Sequence, residues 1–254
     1  VVAVLPLAAS LTIATALLPV VREPSSPPTL ATRIAAGLVI SALAVGVIAL
    51  LTRFADHRRM ADAGLTSIRT GWRLAVWGAI LWIFPAALTF GVLALLGFPL
   101  TVTVPALDLV LTVLLLVGAV LLTEAIPEEV VFRGYVTTVL GAFTRGWATI
   151  ALQAVLFTIF AALLRQSWNP IDLSLFFAMG IGFGYLRMIT GSVWMSIGFH
   201  AAFQTGAQLV LTHTVVDFAG GAGVAMLALG VVPFALAATV VSSVGTPRIF
   251  RADG

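Results

Sequence analysis

Glu128, Glu129 and Arg133 stand in LLTEAIPEEVVFRG, residues 121–134, at the end of a long apolar run. Ionisable side chains at membrane depth are expensive, so by default they mark a site or a buried ion-pair network. Glu129 and Arg133 are four apart and face each other on a helix, where they can pair. Glu128 points about 100° away from Glu129 at 3.6 residues per turn and stays available as a base or a ligand. The alternative is purely structural: a charged helix start neutralised by Arg133. Pro127 is expected to tilt the backbone or to begin a new helix, and either puts both glutamates at a helix N-terminus, where the dipole favours negative charge. Glu124 lies four residues before Glu128, with Pro127 between them.

His200 lies in GSVWMSIGFHAAFQTG, residues 191–206, with Gln204 one turn further on the same face. A buried imidazole with an aligned amide could steady an oxyanion, bind a metal or move a proton. It could equally join helices, at about 1 kcal/mol or less per contact.

Several chemistries are excluded. The chain has no cysteine, hence no disulfide, thiolate nucleophile or cysteine-ligated metal. It has no HExxH pattern, and His57 and His213 fall in loops. Apart from His200 the available ligands are oxygens, which argues against a tight zinc site. The net charge of +3 is carried by loop residues, and no nucleic-acid partner is expected. All thirteen basic residues are arginine, which hints at a GC-rich bacterial coding bias.

The elements that must position these residues are membrane helices. Of 254 residues, 61% are hydrophobic and 9% charged, and apolar stretches of about 20 residues recur along the chain. The expected fold is all-α, a single polytopic transmembrane domain over 1–254. Eight apolar segments run near 1–20, 34–52, 74–96, 107–126, 147–164, 172–189, 192–211 and 224–243. The sequence opens at Val1, inside an apolar run, so upstream residues are expected. Arg53, Arg58, Arg59, Arg69 and Arg73 form the densest basic cluster, which places the 53–73 loop, and by alternation both chain ends, in the cytosol. Asp108, His213 and Asp217 then lie near the outer face, and Arg22, Arg33 and Arg165 in outer loops. Residues 61–77 read as a short interfacial element, and Gly180, Gly182, Gly184, Gly191 and Gly198 as points of close helix crossing.

With these residues located, the chain resembles the CPBP family, which includes CAAX prenyl endopeptidases, bacteriocin-processing or self-immunity proteins and abortive-infection-type membrane proteins. Its first motif, Glu-Glu-x-x-x-Arg, is matched by Glu128, Glu129 and Arg133, extended by Gly134 and Tyr135. The approach to its third motif is matched by Gly191, Ser192 and Trp194, leading to His200. The resemblance covers residues 60–210 and implies a CAAX-protease-like bundle. It also implies Glu128 as base or ligand, Glu129 and Arg133 as an orienting pair, and His200 with Gln204 on the oxyanion side.

Two departures follow. The family's second motif, Phe-x-x-x-His, ends here on Ala161 after Phe157, in the histidine-free run LQAVLFTIFAALL. Gln204 stands where the family carries asparagine. The resemblance allows a divalent metal, but with the water-preparing histidine missing no cofactor is expected. The expectation is a non-catalytic relative in the bacterial plasma membrane, acting as adaptor or stabilising subunit for an integral membrane partner. The alternative is an active intramembrane endopeptidase that cleaves membrane-anchored peptides.

Overall fold

The computed structural model describes residues 26–213 and 215–250, and the first expected apolar segment lies outside them. The described chain forms α1 (Pro27–Leu50, continued by a π turn to Ala55), α2 (Ile68–Leu95), β1 (Leu100–Val102), α3 (Ala106–Leu140), α4 (Trp147–Arg165), α5 (Pro170–Thr190), α6 (Val193–Leu211), β2 (Val216–Phe218) and α7 (Gly221–Val244). Each of the seven other expected segments has its helix. All but α6 are long and apolar enough to cross a membrane. Helix α6 falls short in apolarity because it carries His200, Gln204 and Gln208. Large apolar side chains such as Phe84, Leu95 and Leu114 face outward, as lipid contact requires.

Local chemistry sets the helix ends. Pro27 and Pro170 occupy first turns, Asn169 Oδ1 accepts from the Ile171 amide at 2.9 Å, and Ser192 Oγ accepts from the Trp194 amide at 3.2 Å. Gly191 is not a crossing point: it ends α5 with φ 66°, a left-handed conformation that suits glycine. Residues 68–77 are the start of α2 itself rather than a separate interfacial element.

Pro127 neither breaks α3 nor starts a new helix. The helix runs unbroken from Ala106 to Leu140, and a π turn at Leu121–Ala125 immediately precedes the proline. The wider π turn relieves the clash of the ring with the preceding carbonyls and absorbs the missing N–H. Pro233 follows the π turn Leu227–Val231 in the same way. Glu128 and Glu129 therefore stand mid-helix, not at an N-terminus.

Close packing holds the bundle. Helices α2 and α6 touch backbone to backbone: a Cβ on Gly78 would strike the Met195 carbonyl, and one on Gly198 the Ala75 carbonyl. Between α4 and α5, Gly180 faces Ala154, and Gln153 Nε2 donates to the Gly180 carbonyl at 2.6 Å. Small residues at such crossings give the van der Waals contact that drives association in lipid. At one end β1 and β2 pair antiparallel, Leu100 opposite Phe218. At the other, the Val193 amide and Trp194 Nε1 donate to Gly64 and Thr66 carbonyls, each at 3.0 Å.

Candidate functional site

Glu129 and Arg133 meet as their spacing predicts, Arg133 Nη1 lying 3.3 Å from Glu129 Oε1, and both side chains are fully buried. Phe157 and Phe183 enclose the guanidinium, whose carbon sits 4.3 and 4.9 Å from their ring centres. Its Nη2 donates to the Met179 carbonyl at 3.4 Å. Such aromatic faces favour a cation that water cannot reach.

Helix α6 delivers His200 to the same carboxylate, with Nδ1 2.9 Å from Glu129 Oε1. The ring stacks on Phe183 at 4.6 Å and 18° and is fully buried. Arg133 keeps Glu129 anionic and therefore an acceptor, so His200 Nδ1 carries the proton and donates. In the neutral ring Nε2 is then a bare acceptor. It has no hydrogen-bond partner and lies 4.0 Å from Glu128 Oε2. Glu128 is thus turned away from the Glu129 pair, as the helical angle implies.

Glu128 opens onto a cavity of about 320 Å3, which Glu124, Ala161 and Gln204 also line. Ala161 presents a methyl group to this space where the resemblance leads one to expect an imidazole. Thr158, one turn earlier, donates its hydroxyl back to the Ala154 carbonyl at 2.8 Å. Gln204 is engaged elsewhere: its Nε2 donates to Glu124 Oε2 at 3.0 Å. Glu124 also accepts from Gln208 Nε2 at 2.9 Å and pairs with Arg33 Nη2 at 3.3 Å, while Arg33 Nη1 donates to Gln208 Oε1 at 3.1 Å.

All five residues singled out in the sequence therefore surround one region. Glu129, Arg133 and His200 form a closed network, Glu128 faces the cavity, and Gln204 belongs to a second network around Glu124. Arg33 and Gln208 were missed. Arg33 reads as an outer-loop residue, and the one signal for Gln208 is its place one turn after Gln204.

A divalent metal, which the resemblance allows, does not suit these donors. Among the described residues no three His, Asp or Glu side chains are grouped to hold one. Glu128 and Ala161 line the cavity, whereas His200 Nε2, 4.0 Å from Glu128 Oε2, is buried behind its lining.

Residues 109–206 match the family model described as type II CAAX prenyl endopeptidase Rce1-like. That span holds Glu124, Glu128, Glu129, Arg133, His200 and Gln204 but neither Arg33 nor Gln208. No curated protein and no solved structure matches the chain.

Proposed function

The chain is a CAAX-protease-family membrane protein, its family domain lying at residues 109–206, and from that premise we propose that it keeps the family scaffold without the hydrolytic water site. In this reading it serves as an adaptor or stabilising subunit for another integral membrane protein in a bacterial plasma membrane, with the 53–73 loop and both chain ends in the cytosol. The observation that carries the reading is Ala161 on the cavity wall. A methyl group cannot take a proton from water, and losing a general-base element costs about 10²- to 10⁴-fold in rate.

A second reading, an endopeptidase acting on membrane-anchored peptides, is favoured by the 4.0 Å approach of His200 Nε2 to Glu128. Both groups would accept protons from one water.

Two measurements separate the readings. Purification from native membranes is expected to yield a stoichiometric membrane partner, and a peptide library anchored in vesicles is expected to remain uncut. Cleavage that disappears in Glu128→Ala would overturn the non-hydrolytic reading. Ala161→His restores the missing imidazole to the cavity, and its gain of Glu128-dependent cleavage would identify position 161 as the lost element.

A further inference from the structure

We propose that the cavity takes a zwitterionic lipid headgroup, a primary ammonium and a phosphate diester joined by a short linker, with the ammonium on Glu128 and the phosphate on Arg165. The proposal rests on reading the cavity as a binding site rather than a hydrolytic one.

Four charged side chains line the cavity: Arg33, Glu124, Glu128 and Arg165. Two of them are committed to each other, Arg33 Nη2 lying 3.3 Å from Glu124 Oε1. The polar neighbours are committed as well: Gln204 Nε2 donates to Glu124 Oε2 at 3.0 Å, and the Thr123 hydroxyl donates back to the Ala119 carbonyl at 2.8 Å. Glu128 and Arg165 differ from these. Among the described residues no hydrogen-bond donor reaches the Glu128 carboxylate, and no carboxylate lies within ion-pair distance of Arg165, whose guanidinium rests over the Phe176 ring at 4.9 Å. Asp172, the acid nearest to Arg165 in sequence, accepts instead from Ser167 Oγ at 3.0 Å. Glu128 and Arg165 thus share one cavity without pairing with each other.

Their charges are equal and opposite, so the lining as a whole is neutral. A cation alone would leave Arg165 without an anion, and an anion alone would leave Glu128 without a donor. A ligand that is neutral overall and carries both charges satisfies both groups through charge-assisted hydrogen bonds. The carboxylate accepts from the ammonium N–H groups, and the guanidinium fork suits two phosphate oxygens.

The places of the two groups order the ligand. Arg165 is exposed at the end of α4, one turn beyond Ala161 on the same face, whereas Glu128 keeps only 15% side-chain exposure. The ammonium is therefore innermost and the phosphate sits at the mouth. Beside Arg165 the mouth is apolar, formed by Leu164 and Phe176. Leu163, Trp168 and Ile171, in and just after the end of α4, are exposed apolar surface. A cavity of about 320 Å3 holds a headgroup but not two acyl chains, which stay in the bilayer against that surface. Phosphatidylethanolamine has this order: ammonium, two carbons, phosphate, then chains.

The test uses the full-length protein in neutral detergent and four single-chain probes. Dodecylphosphoethanolamine carries both charges, dodecyl methyl phosphate only the anion, dodecylamine only the cation, and dodecanol neither. The zwitterion is expected to bind at least about tenfold more tightly than each of the others. Glu128→Gln is expected to bring it level with the methyl phosphate, and Arg165→Gln level with dodecylamine. A zwitterion no tighter than either half on the native protein, or a preference that survives either substitution, overturns the proposal. The native comparison stands whether or not the variants fold. In bilayer discs of mixed phosphatidylcholine and phosphatidylethanolamine, the native protein is expected to retain phosphatidylethanolamine and both variants to lose it. Phosphoethanolamine without a chain, added in large excess, is expected not to displace it; displacement identifies a soluble ligand and overturns the lipid assignment. Peptide cleavage is scored separately: cleavage by the native protein sinks the non-hydrolytic reading whatever the probes do, and failure of the probe series without cleavage sinks headgroup binding alone.

Discussion

Two glutamate–arginine pairs hang on one helix of this molecule at the same 3.3 Å separation, in opposite surroundings. Glu129 and Arg133 are fully buried, their cation enclosed by aromatic rings. Glu124 and Arg33 keep side-chain exposures of 22% and 19%, and the amides of Gln204 and Gln208 share the charge. Distance therefore says little about what each pair contributes. A buried pair has lost its water, so removing one partner strands a charge; a partly exposed pair falls back on solvent and on its amides. The inner pair fixes α3 against α6 through His200. The outer pair ties α1 to the same helix. Glu128 stands between them without a cation of its own.

This contrast can be broken by substitution. The largest effect is expected from Arg133→Leu, which leaves Glu129 buried and unpaired: a loss of about 3–5 kcal/mol, read as a lower unfolding temperature in detergent or as failure to accumulate in membranes. A milder response would mean that water reaches Glu129. His200→Ala removes a hydrogen bond to a charged group and is expected to cost about 1.5–3 kcal/mol in the same unfolding measurement. Arg33→Leu should cost about 1 kcal/mol or less; if it matched Arg133→Leu, the two pairs would be energetically alike and the comparison would fail. Glu128→Gln is expected to leave the unfolding temperature unchanged or slightly raised, since no ion pair is lost.

The smallest effect concerns pH. His213, beyond the end of α6 and nearly fully buried, has its imidazole pKa lowered by burial and by the nearby Arg33. The folded protein holds this ring neutral, so the unfolded chain binds the extra proton in acid. Its contribution to stability is present above the ordinary imidazole pKa of about 6.5 and is lost as pH falls through and below it. A His213→Asn variant should flatten that part of an unfolding-temperature profile, and Arg33→Leu, which removes one cause of the lowered pKa, should shrink it from its acid end.

The bundle was legible from composition and apolar run length because lipid imposes one solution, helices with every backbone group satisfied. The Glu129–Arg133 pair was legible because spacing of four is itself the contact. Two local features misled. Pro127 reads as a break, yet a preceding π turn carries α3 through it. Gly191 reads as a crossing point, yet its positive φ makes it a helix end. Neither is encoded by residue type alone, since both depend on how the neighbouring turns pair their backbone groups.

Sequence by itself determined that Glu128, Glu129 and Arg133 carry charge into the membrane on one helical segment, and that the position after Phe157 where a histidine is expected is Ala161. Tertiary structure alone decided that His200, 71 residues after Glu129, gives one nitrogen to that carboxylate and leaves the other facing Glu128. It also decided that Gln204 turns to Glu124, and that Arg33 from α1 joins them. The physical reason is that contact within one helix follows from its pitch, whereas contact between helices depends on crossings such as those at Gly78 and Gly198, where the neighbouring carbonyl fits only because no side chain is present.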